Sequence, residues 1–122
     1  MKTVAVVGAS RDRRKFGNKA VRGFLHAGCT VIPINPHDDE IEGLPSYPSV
    51  LDVPVDIDMA TLYVPPEIGE RIVGEVARKK IPVLWLNPGS DGPEVVRRAR
   101  EVGLEPTVGC SLIAHGESPA RY

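Results

Sequence analysis

The stretch that decides the fold is Thr3-Val4-Ala5-Val6-Val7-Gly8-Ala9-Ser10, an apolar run that ends at a glycine, a small residue and a hydroxyl. Such a β-branched run is typical of a strand covered on both faces. The cations Arg11, Arg13, Arg14 and Lys15 follow, and Phe16-Gly17-Asn18 then opens a helical pattern. A strand, a small-residue turn and a helix N-terminus form an anion site, because free N–H groups and the helix dipole favour negative charge.

Strands and helices alternate along the rest of the chain. The patterns predict strands at residues 29–34, 57–64, 82–86 and 104–108 and helices at 18–27, 66–80 and 93–102. We expect Ser49 to cap one helical turn and Asp91 to cap the last helix. This alternation predicts an α/β fold with a mainly parallel, five-stranded open sheet and helices on both faces. Residues 109–122 carry no pattern that assigns them.

Composition and charge narrow the class of protein. The chain has 122 residues, and its 12 prolines and 12 glycines are spread among turns, so we expect a single domain over residues 1–122. A net charge of -1 argues against nucleic-acid binding. No apolar run could cross a bilayer, and there is no signal-peptide segment. Cys29 and Cys110 form no C-x-x-C spacing, so we expect a cytoplasmic protein with reduced thiols.

The turns that follow the predicted strands are expected to meet at one edge of the sheet. They are Gly8-Ala9-Ser10, Asn35-Pro36, Tyr63-Val64-Pro65-Pro66 and Asn87-Pro88-Gly89. Ligands of open α/β sheets bind beyond the carboxyl ends of the strands. The dinucleotide fingerprint G-x-G-x-x-G is absent, and no carboxylate ends the second strand to hold a ribose diol. The pattern favours a ligand with extra phosphate over NAD.

Candidates for catalysis are weak. Cys110 and His115 lie five residues apart without an obvious orienting carboxylate, so we expect a buried thiol and a surface imidazole. The cysteines also lack a metal-binding spacing. We therefore expect no catalytic residue and no metal site, and a protein that binds its ligand without chemistry of its own.

Several motifs, in this order, resemble the small single-domain CoA-binding proteins. They are Val6-Val7-Gly8-Ala9-Ser10, Pro33-Ile34-Asn35-Pro36, Glu40-Ile41-Glu42-Gly43, Tyr47-Pro48-Ser49, Val55-Asp56-Ile57, Pro66-Glu67 and Trp85-Leu86. Tyr63-Val64-Pro65-Pro66 also resembles the N-terminal CoA-binding domain of the succinyl-CoA synthetase alpha subunit. The resemblance covers nearly the whole chain and implies a Rossmann-like fold that binds coenzyme A across its carboxyl edge.

The resemblance also implies roles for individual residues. Gly8, Ala9 and Ser10 match the turn that holds the pyrophosphate, with Arg13 and Lys15 in the basic loop and Gly17 at the helix start. Asn35 and Pro36 match the turn that lines the nucleotide, and Tyr63, Val64 and Pro65 match the turn under the adenine. Asn87 stands where relatives often have glutamine. Many relatives carry an arginine at the place of Pro65, so Arg11 or Arg14 would have to supply its phosphate contact.

Three functions remain open at this point. The first is a module that binds CoA or acyl-CoA, and the second is one component of a multi-chain acyl-CoA synthetase. The third is a non-catalytic NAD(H)-binding sensor, which the missing second-strand acid disfavours. The exposed edge of the sheet would permit a homodimer.

Overall fold

The computed structural model describes residues 2–122, so that Met1, the first residue of the predicted domain, lies outside the described residues. Its strands are β1 (Thr3–Val7), β2 (Thr30–Ile34), β3 (Glu40–Ile41), β4 (Leu44–Pro45), β5 (Met59–Leu62), β6 (Val83–Leu86) and β7 (Thr107–Val108). Its helices are α1 (Phe16–His26), α2 (Pro66–Arg78), α3 (Pro93–Glu101) and α4 (Ser111–Ala114). Single 3₁₀ turns lie at Val50–Asp52 and Pro119–Arg121.

Five strands form one parallel sheet in the spatial order β2-β1-β5-β6-β7. The chain first builds outward from β1 to β2 and then returns to the other side of β1. Such doubly wound sheets bind ligands where the order reverses, here between β1 and β5. The predicted Rossmann-like α/β fold is confirmed, with helices on both faces.

Alternating side chains of β1 enter two separate apolar cores, which explains why the strand is apolar throughout. Val4 and Val6 face α1 and α4, whereas Ala5 and Val7 face α2 and α3. All four of these side chains are fully buried or nearly so. A strand that serves two cores cannot tolerate polar residues on either face, and this produces the sequence pattern from which the fold was predicted.

A small hairpin lies between β2 and β5, where the sequence suggested only irregular chain. Strands β3 and β4 pair antiparallel, and Glu42 and Gly43 between them adopt positive φ angles of 51° and 76°. Ile41 is fully buried in the core beside α1. Two-residue strands are too short to show an alternating pattern, so the hairpin could not be read from the sequence.

Two local predictions about helix starts had different outcomes. Ser49 does cap its single turn, because its hydroxyl accepts a hydrogen bond of 3.1 Å from the Leu51 N–H. Asp91 as the cap of α3 is wrong: Gly92 precedes the helix, and the Asp91 carboxylate accepts from the Gly89 N–H at 3.2 Å instead. Pro93 does begin α3, where its missing N–H costs nothing.

The C-terminal segment, residues 109–122, packs across α1. Leu112 is fully buried and lies over Gly23, where a Cβ would come within 2.5 Å of Leu112 Cδ2. The Tyr122 hydroxyl donates to Glu117 at 2.6 Å, and this bond lowers the pKa of the Glu117 carboxyl. The segment is thus part of the fold, and its fully buried residues are the adjacent Ser111 and Leu112.

Candidate functional site

A cleft of about 560 Å³ lies at the carboxyl edge of the sheet, and we call it the central cleft. Its lining residues are Gly8, Ala9, Ser10, Lys15, Phe16, Gly17, Asn35, Tyr63, Val64, Pro65, Pro88, Gly89 and Ser90. The turns after β1, β2, β5 and β6 all contribute to this list. The edge is therefore the place where four separate stretches of sequence come together.

Gly8 and Gly17 let the turn after β1 approach its neighbours closely. Gly8 has a φ of +90°, and a Cβ there would lie 2.6 Å from the Tyr63 carbonyl oxygen. At Gly17 a Cβ would collide with the carbonyl oxygen of Gly8 itself. Gly8 needs glycine because of its positive φ and the close Tyr63 backbone, and Gly17 needs it because the backbone of α1 rests directly on the turn. This packing aims the start of α1 into the central cleft.

The start of α1 offers bare backbone donors to the cleft. Lys15 precedes the helix without a side-chain cap, and the first turn contains no acidic residue. Within residues 2–122, the N–H groups of Ser10, Phe16 and Gly17 have no hydrogen-bond acceptor. Unsatisfied donors at a helix N-terminus attract an anion, and the helix dipole adds to that attraction.

The basic loop holds most of its own charge in ion pairs. Arg11 donates to the Glu40 carbonyl at 2.9 Å and lies near Asp38 and Asp39. Arg13 lies 3.7 Å from Glu42. These contacts tie the loop to the β3–β4 hairpin and its approach, and they turn both guanidinium groups away from the cleft lining.

Arg14 is also held by a carboxylate, whereas Lys15 is not paired within residues 2–122. Arg14 bonds both carboxylate oxygens of Asp12 at 3.0 Å, and this pairing lowers the pKa of the Asp12 carboxyl to about 2. Lys15 has no ion-pair partner among residues 2–122, and it lines the central cleft. Of the four cations that the sequence placed in this loop, Lys15 is the one directed at the cleft.

Asn35 lines the central cleft, whereas Pro36 lies at a second cavity beside it. Asn35 donates to the Ala9 carbonyl at 2.8 Å and accepts from His37 N–H at 2.7 Å, so its side chain fixes the two turns together. Pro36 lines a cavity of about 370 Å³ that we call the apolar slot. The slot shares Gly8 and Val64 with the central cleft and extends over the α2 face of the sheet.

Asn87 is fully buried and fixes the base of the edge. Its amide donates to Thr61 Oγ1 at 2.6 Å and to the Leu62 carbonyl at 2.9 Å. Its carbonyl oxygen accepts from the Ser111 N–H at 2.9 Å. The Tyr63 hydroxyl reaches Ser111 Oγ at 3.3 Å, and burial raises the pKa of the Tyr63 phenol. Asn87 does not line the central cleft, and its polar atoms are occupied by the protein.

A third cavity, which we call the inner chamber, opens off the opposite end of the cleft. Its volume is about 90 Å³, and it shares Phe16, Tyr63 and Pro88 with the central cleft. Cys110 lines it and is half-buried. The expected surface imidazole is wrong, because His115 is also half-buried, with its ring 5.5 Å from Phe24 and 6.0 Å from Trp85 between centroids.

The sequence did not identify Phe16 and Ser90 as site residues, although both line the central cleft. Phe16 is 59% exposed. An exposed aromatic side chain at the first position of a helix is the signal that could have found it. Ser90 is buried two residues after the strand-exit Pro88, and nothing in its local pattern distinguishes it.

In residues 2–122 no three His, Cys, Asp or Glu side chains are grouped to hold a metal ion. In the same range no helix combines the length and apolarity that crossing a bilayer requires.

Comparison with known proteins gives consistent matches. A family model described as a CoA binding domain matches residues 2–116. An ADP-forming acetate–CoA ligase II of Archaeoglobus fulgidus is 37% identical over 109 residues, which are 83% of this chain and 16% of the ligase. The alpha subunit of an ADP-forming acetate–CoA ligase II of Pyrococcus furiosus is 29% identical over 81% of this chain and 22% of the subunit. This chain therefore spans less than a quarter of either relative.

A solved structure matches over a much larger share of both chains. It is a hypothetical protein from Pyrococcus horikoshii OT3, with a TM-score of 0.89 and 32% identity, covering 94% of this chain and 82% of that one. The fold and the sequence likeness therefore extend together along nearly all of this chain.

Proposed function

Because the chain belongs to the CoA binding domain family, we propose that its carboxyl edge binds coenzyme A or an acyl-CoA as a binding module without catalysis of its own. The observation that carries the proposal is that, within residues 2–122, the N–H groups of Ser10, Phe16 and Gly17 and the ammonium of Lys15 beside them have no partner. A pyrophosphate supplies the acceptors and negative charge that these groups lack.

The adenine side of the ligand is assigned to the apolar slot. Pro36 and Val64 line it, and Ile68 is 40% exposed at its wall. An apolar wall with exposed aliphatic carbon suits the flat face of a purine base. Arg71 also lines the slot and is exposed, which places a cation near the base for a further phosphate. Because Arg11 and Arg14 are held by carboxylates, Arg71 is the better candidate for the phosphate contact that Pro65 cannot make.

Binding of NAD is disfavoured at the same edge. Asn35 directly follows β2, and its side-chain amide is bonded to Ala9 and His37. The nearest carboxylates, Asp38 and Asp39, pair with Arg11. No carboxylate is therefore left at the strand tip, within residues 2–122, to accept hydrogen bonds from a ribose diol.

Calorimetry with CoA, dephospho-CoA and NAD tests the proposal. We expect micromolar binding of CoA, weaker binding of dephospho-CoA and the weakest binding of NAD. Lys15→Ala should weaken CoA binding about tenfold, since a charge-assisted phosphate contact is worth about 1.5 kcal/mol. Lys2→Ala is the matched control, because Lys2 precedes β1 at the opposite edge. No CoA binding, or equal affinity for NAD, would overturn the proposal.

A second candidate is one component of a multi-chain acyl-CoA ligase. The likeness to a ligase alpha subunit favours it. Such a role needs groups supplied by other chains, and the purified protein alone should then show no CoA-dependent nucleotide hydrolysis. Co-purification with a nucleotide-binding chain would support this candidate. The homodimer and the cytoplasmic location stay predictions.

A further inference from the structure

The proposed positions of the adenine and the pyrophosphate leave the inner chamber without an assigned part of the ligand. We propose that it receives a short, uncharged acyl group of an acyl-CoA, of about the size of acetyl; this inference rests on CoA binding at the central cleft. The chamber is lined by Phe16, Tyr63, Asn87, Pro88, Cys110 and Pro119.

The position of the chamber follows from the residues that the cavities share. The apolar slot meets the central cleft at Gly8 and Val64, and the chamber meets it at Phe16, Tyr63 and Pro88. The slot and the chamber share no lining residue. The three cavities are therefore linked in the order slot, cleft and chamber. With the base in the slot and the pyrophosphate at the start of α1, the pantetheine arm folds back within the cleft beside Phe16 and brings the thiol end to the chamber.

The volume of the chamber sets the size of the group. Its 90 Å³ is little more than half of the roughly 150 Å³ of an apolar cavity that binds benzene, which has six carbon atoms. That is room for about three non-hydrogen atoms, the size of an acetyl group. An aromatic acyl group therefore exceeds the chamber.

The chemistry of the lining excludes a charged acyl group. None of the six lining residues carries a charge. The amide of Asn87 is already bonded to Thr61 and Leu62, and its oxygen is bonded to Ser111. A second carboxylate, as in a dicarboxylic acyl group, would be desolvated there without a partner. The thiol of Cys110 and the ring of Tyr63 offer contacts that suit a methyl group and a thioester.

The test measures the affinities of CoA and of acetyl-, butyryl-, succinyl- and benzoyl-CoA by calorimetry in reducing buffer. Acetyl-CoA should bind about fourfold more tightly than CoA, the effect of burying one methyl-sized group. Succinyl- and benzoyl-CoA should bind at least tenfold more weakly than acetyl-CoA.

Two substitutions at one position probe the chamber itself. Cys110→Leu fills it and should abolish the preference for acetyl-CoA over CoA. Cys110→Ala enlarges it and should raise the affinity for butyryl-CoA relative to acetyl-CoA about threefold. Cys29→Ala is the matched control, because Cys29 is equally half-buried but lies before β2, away from all three cavities.

The outcomes separate this inference from the function on which it rests. If CoA and all the acyl-CoAs bind with equal affinity and Cys110→Ala leaves these affinities unchanged, the proposal that the chamber receives the acyl group is overturned. CoA binding itself is then unaffected. Failure of CoA itself to bind would overturn both. If Cys29→Ala changes the acyl-CoA affinities as much as Cys110→Ala does, the assignment is also contradicted, because the effect is then not local to the chamber.

Discussion

The turns after β1 and β6 lie at the same edge of the sheet and treat their polar groups in opposite ways. The turn after β1 leaves N–H groups of Ser10 and Gly17 without acceptors in the described residues and leaves the Lys15 ammonium free. The turn after β6 begins with Asn87, whose amide and carbonyl are bonded to Thr61, Leu62 and Ser111. The turn after β1 therefore offers free donors to a ligand, whereas the polar groups of Asn87 are used in hydrogen bonds that stabilise the fold.

This difference shows that a residue in one of the turns at the carboxyl edge of the sheet does not have to contact the ligand. Polar groups that the protein leaves unsatisfied in a cleft are available to a ligand, whereas buried groups that are fully bonded hold the cleft in shape. Substitutions in the two turns should therefore separate into effects on affinity and effects on stability.

Asn87→Ala should give the largest loss of stability. It removes the partner of the buried Ser111 N–H and of Thr61, and each unsatisfied buried group costs about 1–3 kcal/mol. We expect the free energy of unfolding in urea to fall by about 3 kcal/mol.

The matched control for Asn87→Ala is Asp91→Ala, in the same turn but exposed, where the loss should stay below about 1 kcal/mol. If the two variants were equally stable, the stabilising role of the Asn87 hydrogen bonds would be disproved.

Gly17→Ala should damage both stability and binding. Its Cβ meets the Gly8 carbonyl, which is rigid backbone, so α1 must move away from the turn. Overpacking of this kind costs about 1–3 kcal/mol, and the displaced N–H groups should weaken CoA binding more than tenfold. Thermal unfolding and calorimetry measure the two effects.

Gly74→Ala serves as the control for Gly17→Ala, because a Cβ at Gly74 meets only Arg98 Nη2, at 4.0 Å. Within a helix this change should stabilise the protein by about 0.5–1 kcal/mol. Opposite signs for the two glycines are the expected result, and the same sign for both would contradict the role of Gly17.

Tyr63→Phe should have a smaller effect with a characteristic pH dependence. Burial raises the pKa of the folded phenol above its usual value near 10, so the unfolded chain loses this proton first. The stabilisation from a neutral Tyr63 is therefore complete below about pH 10 and is lost as the pH rises through the folded pKa.

Denaturation of the wild type and Tyr63→Phe measured from pH 8 to 11.5 tests this expectation. The variant should lose about 1 kcal/mol at pH 8, the value of one hydrogen bond to Ser111, and should show a shallower decline above pH 10. Parallel curves for the two proteins would show that Tyr63 is not buried as described.

Arg13→Ala should give the smallest effect. Arg13 pairs with Glu42 at the surface and lies outside the lining of the central cleft. We expect CoA affinity to change less than about threefold and stability to change by less than about 1 kcal/mol, as for other exposed ion pairs. A tenfold loss of affinity would restore Arg13 to the phosphate site that the family resemblance implied for it.

The main sheet could be predicted because its information is local. Continuous apolar runs such as residues 3–7 mark buried strands, and Pro66 and Pro93 mark helix starts. The meeting of four turns followed from the parallel order alone.

The rest depends on contacts between distant parts of the chain. Asn87 finds Ser111 across 24 residues, and Leu112 is buried by α1 rather than by a pattern of its own. Arg11 and Arg13 are paired by carboxylates from the distant β3–β4 hairpin and the turn before it, and strands of two residues show no alternating pattern in the sequence. The failure of Asp91 as a cap has a local cause instead, because its carboxylate accepts from the N–H of Gly89, two residues earlier.

The inner chamber has walls of two origins. Tyr63 and Asn87 belong to the sheet and its exits, whereas Cys110 and Pro119 belong to the C-terminal segment that Leu112 anchors. Replacing that segment, except for Ser111 and Leu112, would change one wall of the chamber and leave the proposed phosphate-binding turn after β1 unaltered. Under the proposed function, selectivity for the acyl group would then change independently of the phosphate-binding turn after β1.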